Sequence, residues 1–318
     1  MRRYTRCRRP IGYACHEKTK AAPLVRAARG FAAGCVRLRC PCAEAAPDAD
    51  DSRPTARGGV GNRHDAGARA RCSNRRYGGD PLRLPEYAKA FLGDALCDYY
   101  AVIAAIEAGE TSVQLSGRTD FARVERTIHA LYAPKMLLYD AKFFEGEGPF
   151  EYADDTGCLT IRYVYGRETH LALIGAFSER INEALSQCRA GASPEEWAEA
   201  LFLWVVENLR YVLDMRLTVY DAVTTGSAYC QTYAELYQLL LTQAGIPCYL
   251  VGGSVDLDSD GIADGEHEWN RLWLNGAWAY ADPTWDRGGL AFYAMTHDEC
   301  IRSGHLEPYL DPCDALLD

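Results

Sequence analysis

The sequence predicts an α+β protein in which one buried helix packs against a small antiparallel sheet. After Cys230, apolar side chains recur at helical spacing until Gly245 and Pro247 end the run. Further along, two short apolar runs flank Asn275-Gly276, which is a strong signal for a two-residue hairpin turn. We therefore expect the helix and the hairpin to form the core around which the rest of the chain is organised.

Composition and charge describe a chain that is able to bury a substantial core. The 318 residues are 48% hydrophobic and 25% charged. No apolar run reaches about 18 residues, so we expect no transmembrane helix. The formal net charge of −10 is unevenly distributed: residues 1–80 carry 18 Lys and Arg against 7 Asp and Glu, whereas residues 81–318 carry 16 against 37. The N-terminal part is basic and the remainder is acidic.

Residues 1–80 are predicted to be a disordered extension. They are rich in Arg, Ala and Gly, and they offer too little apolar surface to offset the entropy of ordering. Their six cysteines do not have the spacing of a paired C-x2-C zinc site, and no secretory apolar core of about 7–15 residues is present. A basic tail is able to bind nucleic acid or an anionic surface. We favour an extension, or a start assigned too far upstream, and expect no nucleic-acid partner.

Residues 81–166 are predicted to form an accessory α+β subdomain that packs on the core or forms one wall of a cleft. The spacing of apolar residues predicts two helices, over 85–110 and 120–132. Short β-type patterns predict three strands, over 111–115, 135–144 and 158–165.

Residues 167–318 are predicted to form the core domain. A helix is expected over 167–190, and a second helix opens with a capping box at Ser193 and Glu196, which has Pro at its first position, and ends near residue 211. Trp204 on the second helix is expected in the core.

The C-terminal end is predicted to add a last strand over 292–295. A short helix and a tail are expected over 296–318, with His297 and His305 on the surface rather than in a catalytic role.

Cys230 is the first candidate for chemistry. Gly226 and Ser227 are turn and cap residues, so the thiol falls in the first turn of the buried helix. The helix dipole and a neighbouring imidazolium can lower the pKa of a cysteine from about 8.5 into a range of roughly 3.5–7.5. The resulting thiolate is a nucleophile, and the N–H of Cys230 is a candidate for holding an oxyanion. Tyr220 and Tyr229 flank this segment and are candidates for lining a cleft or for packing.

His267 and Asp282 are the second and third candidates. Strands are predicted over 249–253, 268–274 and 277–281, and the hairpin brings His267 at the start of one strand near Asp282 at the end of its partner. A carboxylate beside an imidazole fixes the tautomer of the ring and stabilises its charged form. The three residues together predict a nucleophile, a base and an orienting group.

On these motifs the chain resembles the transglutaminase-like superfamily, and more closely its bacterial-type members, which are cysteine enzymes with a papain-like fold. The resemblance extends from about residue 170 to the end. It implies a triad of Cys230, His267 and Asp282. Thr232 stands where the family usually has Gly, and we expect its side chain to narrow the approach to the Cys230 thiol. The motif residues are Gly226, Cys230, Tyr233 and Ala234, then His267, Trp269 and Asn270, then Asp282, Pro283, Thr284, Trp285 and Asp286. The supporting or substrate-cleft residues are Tyr229, Tyr233, Trp269, Asn270 and Trp285.

A calcium loop is a further hypothesis. Asp256, Asp258, Asp260 and Asp264 follow the D-x-D-x-D-G spacing of calcium-binding loops, in which alternate carboxylates surround a hard cation. The glutamate usual at the twelfth loop position is replaced by His267. The alternative is an acidic loop between two strands.

The resemblance implies a thiol enzyme that acts on amide bonds of a protein or peptide substrate. Because bacterial-type relatives are often suspected proteases, we expect peptidase or amidase action. Protein-glutamine transglutamination and a non-catalytic peptide- or glycan-binding module are the alternatives. No cofactor is expected to be required, with Ca²⁺ as the one candidate. Thirteen cysteines without a signal peptide favour the cytoplasm, although a misassigned start would leave secretion open. The oligomeric state is left open.

Overall fold

The computed structural model describes residues 83–138, 148–286 and 288–310. All of them belong to one compact unit. The predictions for residues 1–80 therefore lie outside the described residues. Within the described ranges the fold class is α+β, as the sequence predicts, and none of the helices is long and apolar enough to cross a membrane.

The first part of the described chain combines three helices with a three-stranded antiparallel sheet of order β1-β3-β2. The single helix predicted over 85–110 is interrupted, because Gly93 has a φ of +53° that a helix does not accommodate. Strand β2 was not predicted. The elements are α1 (Glu86–Leu92), α2 (Leu96–Glu107), β1 (Ser112–Gln114), α3 (Phe121–Leu131), β2 (Phe150–Ala153) and β3 (Cys158–Ile161), with a 3₁₀ turn at Gly93–Ala95.

The strand predicted over 135–144 is wrong where the structure describes it. A 3₁₀ turn occupies Lys135–Leu137, directly after Pro134. Leu137 and Leu138 are both buried, whereas adjacent residues of a strand would point to opposite faces. The remainder of the predicted strand lies outside the described residues.

Four helices belong to the second part: α4 (Arg167–Leu185), α5 (Pro194–Asn208), α6 (Val219–Thr225) and α7 (Cys230–Ala244). The predicted capping box opens α5, since the Glu196 N–H donates to Ser193 Oγ over 3.2 Å and the Ser193 N–H donates to Glu196 Oε2 over 2.6 Å. Helix α6 was not predicted, although Thr218 and Asp221 form a second capping box at its start. Two short parallel strands, β4 (Arg210–Tyr211) and β5 (Ser227–Ala228), lead towards α7.

The main sheet is antiparallel and has the order β8-β7-β6-β9. Its strands are β6 (Cys248–Val255), β7 (Gly265–Leu274), β8 (Ala277–Ala281) and β9 (His305–Leu310). The predicted hairpin joins β7 to β8, and Asn275 and Gly276 both have positive φ, of 51° and 80°, as a type I′ turn requires.

Helix α7 packs between the other helices and the main sheet, and contacts α5, α6, β6 and β7. The side chains predicted to lie on its buried face are at most 4% exposed: Tyr233, Ala234, Tyr237, Leu240 and Leu241. Trp204 is buried in the same apolar cluster, as expected. A separate apolar cluster joins side chains of residues 84–161, and the domain boundary at 166/167 stays a prediction.

The C-terminal end differs from its prediction in two places. Residues 292–295 do not form a strand, and contribute only a single bridge between Met295 and Tyr280. After helix α8 (His297–Arg302), which the sequence predicts, the chain returns as β9 and pairs antiparallel with β6. Strand β9 was not predicted, because Pro308 lies within it and a proline is compatible only with an edge strand.

Gly304 is required where β9 begins. Its φ is +95°, and a Cβ at this position would lie 2.6 Å from the carbonyl oxygen of Asp256. We expect Gly304→Ala to lower the free energy of unfolding by more than Gly276→Ala, because Gly276 also has a positive φ but nothing within 4 Å of its Cβ position. Both variants carry the left-handed-backbone penalty of about 1–2 kcal/mol. Urea unfolding of both variants checks this, and equal losses would contradict the proposed overlap.

Candidate active site

Cys230 is the first residue of α7. Helix α6 ends at Thr225 and is capped by Gly226, whose φ of +70° turns the chain into β5 and from there into α7. The thiol is half-buried and lies where the first N–H groups of α7 have no partner inside the helix. This position favours a negatively charged sulfur.

The surroundings of the Cys230 thiol lower its pKa below the ordinary value. Burial is the largest single influence and raises the pKa. A hydrogen bond with His267, the charge of that ring, and the backbone N–H groups of Glu268 and Gln231 together outweigh burial. Cys230 therefore lies among donors that stabilise the thiolate.

His267 lies between Cys230 and Asp282. Its Nε2 is 2.8 Å from Asp282 Oδ2, and the two side chains are 7% and 0% exposed. Since Nε2 faces the carboxylate, Nδ1 is the ring nitrogen that remains for the thiol. Burial lowers the pKa of His267, but the bonds to Asp282 and Cys230 outweigh it and raise the pKa to about 9. The imidazolium is therefore stabilised.

Asp282 stays ionised although it is fully buried. Burial raises its pKa, and hydrogen bonds from two histidines reverse this and hold the pKa well below its ordinary value. Its Oδ1 accepts the Thr284 N–H over 2.8 Å and the Trp285 N–H over 3.4 Å. The turn that follows β8 thus fixes the carboxylate towards His267.

His305 is the second histidine on Asp282, and the prediction that it lies on the surface is wrong. It is fully buried, and its Nε2 is 3.0 Å from Asp282 Oδ2. Its burial was not predicted because its position depends on the pairing of β9 with β6, which no local pattern marks. His297 is exposed, as expected.

Two tryptophans flank the histidines. The ring centroid of Trp285 is 5.0 Å from that of His267 and 4.4 Å from that of His305. The ring of Trp269 is fully buried, 5.9 Å from His267 and 4.7 Å from His305. These two predicted support residues therefore lie against the imidazoles.

The other predicted support residues lie elsewhere. Tyr233 is buried in the apolar cluster of α7. Asn270 donates through Nδ2 to the Ala234 carbonyl over 3.0 Å and so joins β7 to α7. Tyr229 is half-buried, and its hydroxyl donates to Gln231 Oε1.

Tyr220 and Thr232 are both buried and contact other parts of the fold. The ring of Tyr220 is buried and stacks on Phe177. Thr232 was expected to narrow the approach to the thiol. It is instead fully buried, and its Oγ1 donates to the Leu217 carbonyl over 3.2 Å.

An exposed apolar segment begins beside Cys230. Tyr211 of β4 pairs with Ala228 of β5, two residues before Cys230, and burial, then the charge of Cys230, raise the pKa of its phenol. Leu213 and Met215 follow at 81% and 80% exposure. This segment was not predicted to be part of the site.

The acidic loop between β6 and β7 brings Asp256, Asp258 and Asp260 together, with one carboxylate oxygen of each within 4.8 Å of the others. Asp256 Oδ2 accepts the Gly261 N–H over 2.8 Å, and Asp260 Oδ1 accepts the N–H two residues further on over 2.8 Å. The fourth predicted ligand, Asp264, instead accepts the Leu257 N–H over 2.8 Å. Calcium binding here stays a hypothesis.

His267, Asp282 and His305 also bring three potential metal-ligand atoms within 4.8 Å of one another. The atoms concerned already pair with each other, since both Nε2 atoms hydrogen bond with Asp282 Oδ2. These three side chains therefore form a hydrogen-bonded network.

Comparison with protein families gives the identity of this region. Residues 183–283 match the core model of the transglutaminase-like superfamily. The chain contains a transglutaminase-like domain. The matched residues include Cys230, His267 and Asp282, whereas His305 lies beyond them. The matched part of the domain covers α5, α6, α7 and the β7–β8 hairpin.

The curated relatives match only part of this chain and a smaller part of their own length. Kyphoscoliosis peptidase from Mus musculus is 24% identical over 150 residues, which are 39% of this chain and 23% of the relative. The Homo sapiens protein of the same name is 24% identical over 134 residues, 35% of this chain and 20% of the relative. The match thus spans a quarter or less of each relative's length.

Among solved structures, the periplasmic domain of TgpA from Pseudomonas aeruginosa is 20% identical, covers 44% of this chain and 62% of its own, and has a TM-score of 0.30. The crystal structure of a TGase is 15% identical, covers 38% of this chain and 34% of its own, and has the same TM-score of 0.30.

Proposed function

We propose that the transglutaminase-like domain is a thiol enzyme that hydrolyses peptide or carboxamide bonds. Cys230 is the nucleophile, His267 the acid and base, and Asp282 the group that orients His267. One observation carries the proposal: His267 Nε2 is 2.8 Å from the buried Asp282 carboxylate, and the same ring lowers the pKa of the Cys230 thiol. A nucleophile, a base and an orienter in this order are the requirements of covalent acyl transfer.

The first half of the reaction forms an acyl-thioester. The Cys230 thiolate attacks the carbonyl carbon, and the C–N bond breaks as the His267 imidazolium gives its proton to the leaving amine. Because the pKa of His267 is raised to about 9, the ring carries that proton at neutral pH. Asp282 keeps Nε2 protonated, which leaves Nδ1 to exchange the proton with the reacting groups.

The second half consumes water. Neutral His267 takes a proton from a water molecule, whose oxygen attacks the thioester carbonyl. The C–S bond then breaks and releases a carboxylic acid, and the thiolate–imidazolium pair is restored. An amine in place of water would give a new amide by the same steps.

Two observations favour a peptide substrate and water as the acceptor. The matching curated relatives are named peptidases. The exposed apolar side chains of Leu213 and Met215 follow Tyr211, which pairs with Ala228 two residues before Cys230, and would suit apolar side chains of a peptide. We therefore propose peptidase action on apolar peptide segments.

A peptide library in H₂¹⁸O, with a fluorescent primary amine added, tests the acceptor. We expect new peptide N-termini and ¹⁸O in the new carboxylates, both absent with Cys230→Ala. Amine incorporation without ¹⁸O would overturn hydrolysis in favour of transglutamination. No product of either kind, with a rapidly alkylated Cys230, would favour the binding module.

A further inference from the structure

His305 occupies a fully buried position against Asp282, with its ring centroid 5.8 Å from that of His267. Its Nε2 is 3.0 Å from Asp282 Oδ2, the same oxygen that His267 Nε2 approaches to 2.8 Å. Its Nδ1 is 2.9 Å from Ser303 Oγ. Both nitrogens of a fully buried imidazole are thus partnered, and one of those partners is the orienting carboxylate.

The backbone holds His305 in this place. In the sheet, His305 pairs with Val255 at the end of β6. The preceding Gly304 allows the chain to pass close to Asp256, and its N–H and carbonyl groups bond within the turn and to the Asp256 N–H. The rings of Trp269 and Trp285 contact the imidazole at 4.7 and 4.4 Å between centroids. His305 therefore has little freedom to turn away from Asp282.

The Asp282 carboxylate has its acceptor sites occupied on both oxygens. Oδ1 takes two backbone N–H groups and Oδ2 takes two imidazoles. A carboxylate can accept about four hydrogen bonds. Loss of the His305 donor would leave a buried lone pair of Asp282 without a partner.

The hydrogen bonds of Ser303 indicate which nitrogens of His305 carry protons. Ser303 Oγ is 2.7 Å from the Cys300 carbonyl oxygen, which only accepts, so the single hydroxyl proton lies there. Nδ1 of His305 must then donate to Ser303 Oγ. Nε2 must also donate, because an ionised Asp282 only accepts. A histidine that donates through both nitrogens is an imidazolium.

This assignment balances the charge of the buried cluster. A Cys230 thiolate, a His267 imidazolium and an Asp282 carboxylate leave one negative charge in excess, which a proton on His305 neutralises. The Cys300 thiol of α8 is fully buried, and burial, then the Asp282 charge, raise its pKa to about 12, so it stays neutral. Buried charges are stable only when they are paired in this way.

We propose that His305 is a positioning residue that acts on the Cys230–His267 pair through Asp282. It fixes the carboxylate and supplies the positive charge that favours the thiolate. This inference rests on the proposed function, since it assumes that Cys230 and His267 form the reactive pair.

The rate of Cys230 alkylation by iodoacetamide against pH, read by mass spectrometry, tests this without a substrate. With His305→Phe, which keeps a ring and removes the donors, we expect the midpoint at which Cys230 becomes reactive to move up by roughly one pH unit, the smaller end of the shift that a charged neighbour produces. With His305→Gln, whose amide nitrogen takes the place of Nε2 but carries no charge, we expect a smaller upward shift. Packing alone would move neither midpoint.

Ser303→Ala keeps His305 and removes the acceptor of its Nδ1 proton, so we expect an upward shift here as well. If the His305 variants do not fold, as judged by thermal unfolding, Ser303→Ala alone tests the positioning role of His305. Unchanged midpoints in the folded variants would overturn the inference. If the wild-type Cys230 reacts no faster than an ordinary thiol, the proposed function fails instead, and the two failures are therefore distinguishable.

Discussion

Replacing Asp282 with asparagine is expected to lower kcat/KM for peptide hydrolysis by about 10⁴-fold, the loss typical of a triad histidine held in the wrong tautomer. The asparagine oxygen can still accept the Thr284 N–H that Oδ1 now accepts. Its NH₂ group would then face Nε2 of both His267 and His305. His267 would have to accept at Nε2 and place its proton on Nδ1, against the thiol, where it no longer acts as a base.

Asp286→Asn is a matched control for this experiment. Asp286 is also buried and follows the same motif, but its carboxylate accepts the backbone N–H groups of Gly288, Gly289 and Phe292. We expect this variant to lose stability while keeping most of its kcat/KM. Equal losses of kcat/KM in the two variants would contradict an orienting role for Asp282.

Cys230→Ala is expected to reduce peptide hydrolysis to the background, a loss of about 10⁶-fold in kcat by analogy with removal of the nucleophile in a serine protease. The reason is that no other side chain in the described site provides a nucleophile next to His267. Helix α7 should fold as before, since alanine favours helices.

The control for Cys230→Ala is Cys158→Ala, which removes another half-buried thiol, in β3 of the three-stranded sheet. We expect Cys158→Ala to keep wild-type kinetics. Hydrolysis that survives in Cys230→Ala, measured with a sensitive fluorogenic peptide, would show that a different residue or a contaminating protease is responsible.

The parts of the fold that the sequence predicts are those with strong local patterns. The buried face of α7 follows from helical spacing, the β7–β8 hairpin from Asn275-Gly276, and the start of α5 from its capping box. Cys230 begins α7, His267 lies in β7 and Asp282 directly follows β8, so the local patterns were sufficient to nominate these three residues.

The elements that the sequence analysis missed depend on distant partners or are too short to show a period. Helix α6 has only seven residues. Strand β9 contains Pro308 and exists because β6 offers it an edge, so the burial of His305 could not be inferred from the residues around it. Gly304 would have been a clue only with knowledge that Asp256 lies opposite it.

The central claim is that Cys230 and His267 form a thiolate–imidazolium pair, and the most direct test is the alkylation of each cysteine by iodoacetamide across pH, in the intact protein and in His267→Ala. His267 lowers the pKa of the thiol. We therefore predict that Cys230 reacts far faster than the other cysteines below pH 7, where an ordinary thiol with a pKa of about 8.5 is mostly protonated. In His267→Ala this advantage should fall by about tenfold for each unit by which the thiol pKa rises. A Cys230 that reacts like an ordinary or a buried thiol in both proteins would contradict the pair and the thiol-enzyme function built on it.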